Sequence, residues 1–447
     1  MYIGDDVSSE NHVSYREYLS KNITDELNDK EYVSRSKDGQ EGVFSRDRKL
    51  TFRHLIMFII STKGALQREL DRFFKSVCDK DFNIRKVTKS AFSQSRSKLN
   101  PWAFVRLNEI VVNTFYERNL INTWKGFRIL AVDGSRLILP RHKTIIEEFG
   151  EHMMGPKADS PRSIALISML YDVLNHITID AQMAPYSDSE KDLLEKHICK
   201  IEDDDLLLTD RGYPSIKLMY QLKSKRINFC IRMKDDWWLK VKEFTESTDK
   251  ERLVEFTLPK KDHKYFAHCP QILEKPIVCR LVKIELPTGE KEILCTSLID
   301  FEQYPYDQFD ALYHTRWNEE EAYKLLKSRI EVEDFSGKTA IAVKQDFFSK
   351  VLLMSLCAAY AYPIEEKVRK EYAASQHRKY AQQINHTNAL AMTKDILVSI
   401  FIKFKFKEAI EAFDHNVYNT REIVRPGRSV ERKHKPKKTY SMNYKQL

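Results

Sequence analysis

From about Leu50 to Arg118, apolar residues recur at helical spacing. LTFRHLIMFIIS and ALQRELDRFFKSV place them three and four apart, and Asn100-Pro101 punctuates before AFVRLNEIVVNTFYE. This predicts an all-helical module over residues 46–122, preceded by an N-terminal extension over 1–45. At Phe127 the period changes to that of strands. FRILAVDGSRLILP reads as a buried strand that breaks at Asp133-Gly134, and SIALISMLYDV and HITIDAQMA follow as two more, joined at Leu174-Asn175 as in a hairpin. A capped helix (SDSEKDLLEKHICK), a strand (DLLLTD), a helix from Ser215 to about Ser224 and a strand (NFCIRMK) come next. Between Lys234 and about Asp300 the pattern is β-rich again, with a hairpin turning at Pro287-Thr288-Gly289. From Phe309 the chain reads as helical through FDALYHTRWNEEEAYKLLKSRI, QDFFSKVLLMSLCAAYAY and ALAMTKDILVSIFIKFKFKEAIEAF.

Three leading antiparallel strands followed by αβαβ is the ribonuclease-H-like order, an α/β sheet with helices on both faces. The expected fold class is therefore α/β, with a ribonuclease-H-like catalytic core in two parts, 125–233 and 303–365. A β-rich insertion over 234–302 interrupts it, and a helical C-terminal region with a basic tail follows over 366–447.

Composition changes this picture in two ways. The seven cysteines are scattered without metal-ligand spacing, which predicts reduced thiols in a cytosolic protein rather than a disulfide scaffold. A net charge of +9 points toward nucleic acid, although many acids accompany the excess. The stretch RPGRSVERKHKPKK concentrates cations and prolines with one acid, Glu431, and suits either a phosphate-binding tail or a solvated one. In the helical module, TKSAFSQSRSKL sets Ser90, Ser93, Gln94, Arg96, Ser97 and Lys98 along a short helix, side chains that suit a duplex surface. The N-terminus has neither a basic start nor an apolar run, and the longest apolar stretches fall short of the ~20 residues that span a bilayer. No membrane partner and a cytoplasmic location are expected.

Two aspartates share one context. Asp133 is read at the end of the first core strand and Asp210 at the end of the fourth, each closely followed by glycine. Those strands are neighbours in the expected order, so two carboxylates face each other at one sheet edge and need a cation. A third acid must come from the helix that begins near Asp310, which offers Glu319, Glu320, Glu321, Glu331 and Glu333. At about 100° per residue, Tyr313, Arg316, Glu320 and Lys327 fall on one face, while Glu319 and Glu321 point to either side of it. A phenol, a guanidinium, a carboxylate and an ammonium in one stripe make a poor core face and a good phosphate and metal face. An exposed helix with i,i+4 ion pairs is the plain alternative.

These residues carry a resemblance. Tyr-x2-Arg-x3-Glu-x6-Lys, here Tyr313, Arg316, Glu320 and Lys327 within YHTRWNEEEAYKLLKSR, is similar to the signature of the DDE transposases of bacterial insertion sequences in the IS-four group. ILAVDGSRL and LLLTDRGYPS resemble that family's first-Asp and second-Asp strands, and the likeness extends over roughly Phe44 to Leu353. It implies that Asp133, Asp210 and Glu320 are catalytic and hold Mg²⁺, for which Mn²⁺ can substitute. It also implies that Tyr313, Arg316 and Lys327 contact phosphates of a transposon end. The partners would be double-stranded DNA, as transposon ends and target, and a second copy of the chain in a homodimer on DNA. The activity would be cut-and-paste transposition in the bacterial nucleoid. One departure concerns hairpin formation: relatives stack a flipped base on a Trp where this chain has Lys291-Glu292, while Trp237 and Trp238 lie elsewhere in the insertion. The alternatives are a domesticated, transposase-derived DNA-binding protein and a structure-specific nuclease of the same fold.

Overall fold

The change of period near Phe127 falls close to a physical boundary. In a computed structural model, which describes residues 14–44, 49–153, 161–203, 205–286 and 289–425, the chain forms two compact units. One joins Met1–Leu120 to Phe348–Leu447, and the other is Ile121–Phe347.

The first unit opens with six helices, α1 (Tyr15–Asn28), α2 (Lys30–Arg35), α3 (Phe52–Ser61), α4 (Leu66–Val77), α5 (Lys89–Arg96) and α6 (Trp102–Arg118). Local signals set their ends. Ser14, Asp29, Thr51 and Thr88 each accept a backbone N–H from the first turn that follows, satisfying donors a helix start leaves free. On α5, Ser90, Ser93 and Gln94 are exposed, as are Ser97 and Lys98 just beyond it. Arg96 is instead buried, with its guanidinium over the Phe92 ring.

The second unit is built on one mixed sheet. In chain order come β1 (Arg128–Ile138), α7 (Lys143–Phe149), β2 (Ile164–Asp172), β3 (Ile177–Pro185), α8 (Glu190–His197), β4 (Asp205–Thr209), α9 (Ile216–Ser224) and β5 (Asn228–Met233). Then follow α10 (Leu239–Glu246), β6 (Glu251–Phe256), β7 (Ile277–Glu285), β8 (Lys291–Thr296), α11 (Phe309–His314) and α12 (Trp317–Lys324). The strand order is β3-β2-β1-β4-β5-β8-β7-β6, with β1–β3 antiparallel and β1, β4 and β5 parallel. The β-rich segment after Lys234 extends this same sheet, because β8 pairs antiparallel with β5. The turn residues Pro287 and Thr288 lie outside the described residues.

Two local expectations change. The first strand does not break at Asp133-Gly134: it runs to Ile138, with Asp133 opposite Met169 and Gly134 opposite Ser168 on β2. What ends there is the parallel ladder to β4, whose last rung is Val132–Thr209. The continuous helix expected from Phe309 is also interrupted. The Thr315 hydroxyl donates to the Leu312 carbonyl at 2.7 Å, between α11 and α12, and a π-helical turn, Leu325–Arg329, follows α12.

Helix α13 (Ala340–Glu371) is long and apolar enough to cross a membrane by length and composition, contrary to the stretch-by-stretch reading, yet 83% of its most apolar window is buried inside the protein. Within the first unit, its Lys350 ammonium is buried and donates to the carbonyls of Ile59, Ile60 and Thr62, capping the C-terminal end of α3. Helices α14 (His386–Phe401) and α15 (Phe406–Asn419) complete this unit. Leu397, Ile400, Phe401 and Ile410 are buried within it, while Phe404 is exposed beneath Arg53. The basic stretch after Arg425 lies outside the described residues.

Candidate active site

The parallel ladder brings the two aspartates together. Val132 and Thr209 form its last rung, so Asp133 and Asp210 follow side by side at the carboxyl end of the parallel strands, where α/β sheets present functional groups. Each carboxylate accepts a backbone N–H from a nearby glycine, Asp133 from Gly134 at 2.8 Å and Asp210 from Gly212 at 2.7 Å. Burial pushes the Asp133 carboxyl up to about 6, opposed by the Gly134 hydrogen bond and reinforced by the charge of Asp210.

The helical segment supplies the rest of the lining. Glu320 is half-buried and accepts a 2.9 Å hydrogen bond from the buried Arg316, whose positive charge also acts on Asp133. Tyr313 is buried, and its hydroxyl donates to the Thr209 carbonyl at 3.3 Å, one residue before Asp210. Lys327, in the π-turn, donates to the Arg136 carbonyl at 2.6 Å, and burial lowers its ammonium. The structure thus sets Asp133 and Asp210 side by side where the β1–β4 ladder ends, with Tyr313 against Thr209, Glu320 bonded to Arg316 and Lys327 farther along β1 at Arg136. These are separate contacts rather than one helix stripe.

Sequence reasoning missed four neighbours. Glu319, placed off the stripe, is fully buried and accepts the Asp133 N–H at 2.7 Å. Burial drives its carboxyl well above the usual range, with Asp133 adding to the effect. Tyr323 donates to the Asp133 carbonyl at 2.7 Å and accepts the Met169 N–H at 3.0 Å, so it fastens β1, β2 and α12 together. Glu190, at the start of α8, lies against Gly134, and the buried Tyr213 sits just beyond Gly212. One signal was readable: Leu312, Glu319, Ala322, Tyr323 and Leu326 follow helical spacing, which puts an acid at a core position. No local pattern marks Glu190, because the crossover after β3 is what delivers it.

A family model for the Transposase DDE domain matches residues 124–356, more than half of the chain. The chain belongs to this family. The chain is 25% identical over 154 residues to "Putative transposase InsZ" of Escherichia coli (strain K12), covering 34% of this chain and 50% of that protein. It is 23% identical over 277 residues to "Transposase InsG for insertion sequence element IS4" of the same organism, covering 60% of each. It thus spans between half and three fifths of the curated relatives it matches. A cryo-EM structure of the piggyBac transposase synaptic complex with hairpin DNA covers 90% of this chain and 82% of its own, with a TM-score of 0.43 and 10% identity.

Membership in the DDE family implies dependence on a divalent metal. The residues fit one. Asp210 disfavours the charge of both Asp133 and Glu190, and the buried Glu319 Oε2 and Tyr213 hydroxyl beside them have no hydrogen-bond partner. A protein free of metal therefore carries an electrostatic cost. Because the folded Asp133 holds its proton up to about pH 6 and the unfolded one does not, that cost grows as pH rises through this window and stays above it. Asp133→Asn is expected to raise metal-free stability at pH 7.5 by up to about 3 kcal/mol. Denaturant unfolding at pH 7.5 and pH 4 checks this: the gain should vanish at the acidic end, and a gain equal at both would contradict the assignment.

Proposed function

We propose that this chain is a DNA transposase that cuts strands at the terminal inverted repeats of an insertion sequence and joins the freed 3′ ends to target DNA. The observation that carries the reading is the juxtaposition of Asp133 and Asp210 at the end of the β1–β4 ladder, in a chain of the DDE family. The strand order β3-β2-β1-β4-β5 supports a ribonuclease-H-like core. In this reading residues 46–122 form the DNA-binding module, 125–233 and 303–365 the core, 234–302 the insertion and 366–447 the C-terminal region.

Asp133, Asp210 and Glu320 would hold the metal, Mg²⁺ or Mn²⁺ by the hardness of an all-carboxylate donor set. Bound there, the metal supplies activation of the attacking oxygen and stabilisation of the leaving 3′ oxygen. Arg316 orients Glu320 through their hydrogen bond and places positive charge beside Asp133, where a phosphate would enter. Tyr313 and Arg316 are 2% and 5% exposed, so a phosphate they touch lies within the site, while Lys327 approaches the same end of β1 as a point charge. Trp237 supports a hairpin route: its exposed ring lies 4.7 Å from the Lys234 ammonium and 5.5 Å from that of Lys191, the residue after Glu190, whereas Trp238 is turned against Phe256.

Two ends must be cut and joined together, which favours a homodimer on DNA. The apolar residues of α14 and α15 are mostly buried, which argues against a dimer contact through them. The expected setting is the bacterial nucleoid. The test is strand cleavage on the inverted repeats that flank the gene, with and without Mg²⁺. Nicking exactly at the repeat ends is expected. Binding without cleavage would mean a domesticated DNA-binding protein, and cleavage of branched DNA irrespective of the repeats a structure-specific nuclease.

A further inference from the structure

The glycine that follows Asp133 is explained by what occupies the space over it. Neither Gly134 nor Gly212 has a positive φ, so neither is required by its backbone conformation. A Cβ on Gly134 would lie 2.5 Å from Glu190 Oε1 and 2.6 Å from its Cδ and Cγ, so any side chain there would push the Glu190 carboxylate out of its present place. A Cβ on Gly212 would lie 3.0 Å from Asp210 Oδ1 and 3.7 Å from Glu190 Oε2. The Glu190 carboxylate therefore sits over Gly134 with one oxygen turned toward Gly212, between the two aspartate-bearing segments.

Its position is held from behind. Ser189 caps α8 in a reciprocal box with Asp192, and Leu193 and Leu194 are buried. At the far end, the buried His197 ring bonds Asp180 at 2.7 Å and Ser168 at 3.0 Å, fastening α8 to β3 and β2. Lys191 donates to the Pro214 carbonyl at 3.1 Å, tying the start of α8 to the segment after Asp210.

Glu190 makes no hydrogen bond or ion pair among the described residues, and although the charge of Arg136 favours its ionised form, burial and the neighbouring Asp210 outweigh it and raise its carboxyl. A second observation concerns the walls rather than the acids. The Tyr213 hydroxyl and Glu319 Oε2 are fully buried and unpartnered, and the charges of Glu190, Asp133 and Glu319 all bear on Tyr213. Buried polar atoms left open beside three carboxylates mark a place that a bound cation with its own waters would complete.

We propose that Glu190 is a fourth carboxylate of the divalent-metal site, acting with Asp133 and Asp210, and that Gly134 leaves the space it occupies. This rests on the reading of Asp133 and Asp210 as metal-holding residues. Calorimetric titration of Mn²⁺ into the full-length protein without DNA tests it independently of cleavage. Wild type should bind, Asp133→Asn should lose binding, and Glu190→Gln should weaken it at least tenfold. Gly134→Ala should weaken it similarly by displacing Glu190, and the Gly134→Ala/Glu190→Gln double variant should be no weaker than either single one. Unfolding melts of each variant, with Glu190→Ala as a further replacement at this half-buried helix start, confirm that folded protein is titrated. If Asp133→Asn abolishes binding while the folded Glu190 variants bind as wild type does, the proposal is overturned and the reading of the aspartates stands. If Asp133→Asn also binds like wild type, that reading fails and takes this proposal with it.

Discussion

Asp133→Ala, Asp210→Ala and Glu320→Ala are each expected to reduce strand cleavage by at least about 10³-fold while leaving DNA-end binding within about twofold. The expectation follows from the proposed division of labour, in which the carboxylates would hold the metal and affinity for DNA would come from cations spread over a large surface. Asp133 and Asp210 are placed by neighbouring strands, and Glu320 is bonded to Arg316, whose charge acts on Asp133. Glu321→Ala is the control. Its side chain is exposed, pairs with Lys324 and touches none of these groups, so cleavage should persist. Gel-shift binding and a cleavage time course on the same labelled repeat end measure both effects. A folded Asp133, Asp210 or Glu320 variant that cuts at more than a tenth of the wild-type rate would remove that residue from the metal site.

The legible and illegible parts of this site differ in physical origin. Asp133 and Asp210 could be found because each stands at a change of local pattern, an apolar run meeting an aspartate closely followed by glycine. The adjacency of their strands follows from element order alone. Where β1 really ends was not legible, since its continuation to Ile138 depends on pairing with β2, a partner some thirty residues away in the chain. The helix face was only half legible. Uniform rotation of about 100° per residue puts Glu320 with Arg316 and sets Glu319 aside. The break at Thr315 and the π-turn at Leu325–Arg329 alter that count, and the sheet decides which face is buried. Glu190 was invisible because its place depends on the absence of a side chain at Gly134, which belongs to another segment.

Glu319→Ala is expected to destabilise the protein by about 3 kcal/mol or more, from the half-buried Asp133 N–H left without its acceptor and from the cavity the buried side chain vacates. Its Oε1 takes the backbone N–H of Asp133 at 2.7 Å, so the residue next to a proposed metal ligand secures the strand that carries another. Glu319→Gln keeps an acceptor of the same shape and should therefore fold. The pH dependence separates the two contributions. Because burial raises the Glu319 carboxyl, the folded protein retains a proton that the unfolded chain releases above the ordinary carboxylate range. Stability is thus lost as pH rises beyond that range in wild type, and Gln, having no proton to lose, is spared. Metal-free Glu319→Gln should match wild type near pH 4 within about 1 kcal/mol and exceed it at pH 8, while Glu319→Ala should be weaker at both. Urea unfolding at the two pH values measures all three proteins. An alanine variant as stable as wild type would show that the Asp133 N–H finds another acceptor, and a glutamine variant less stable than wild type at pH 8 would show that the buried carboxyl is held there as a charge.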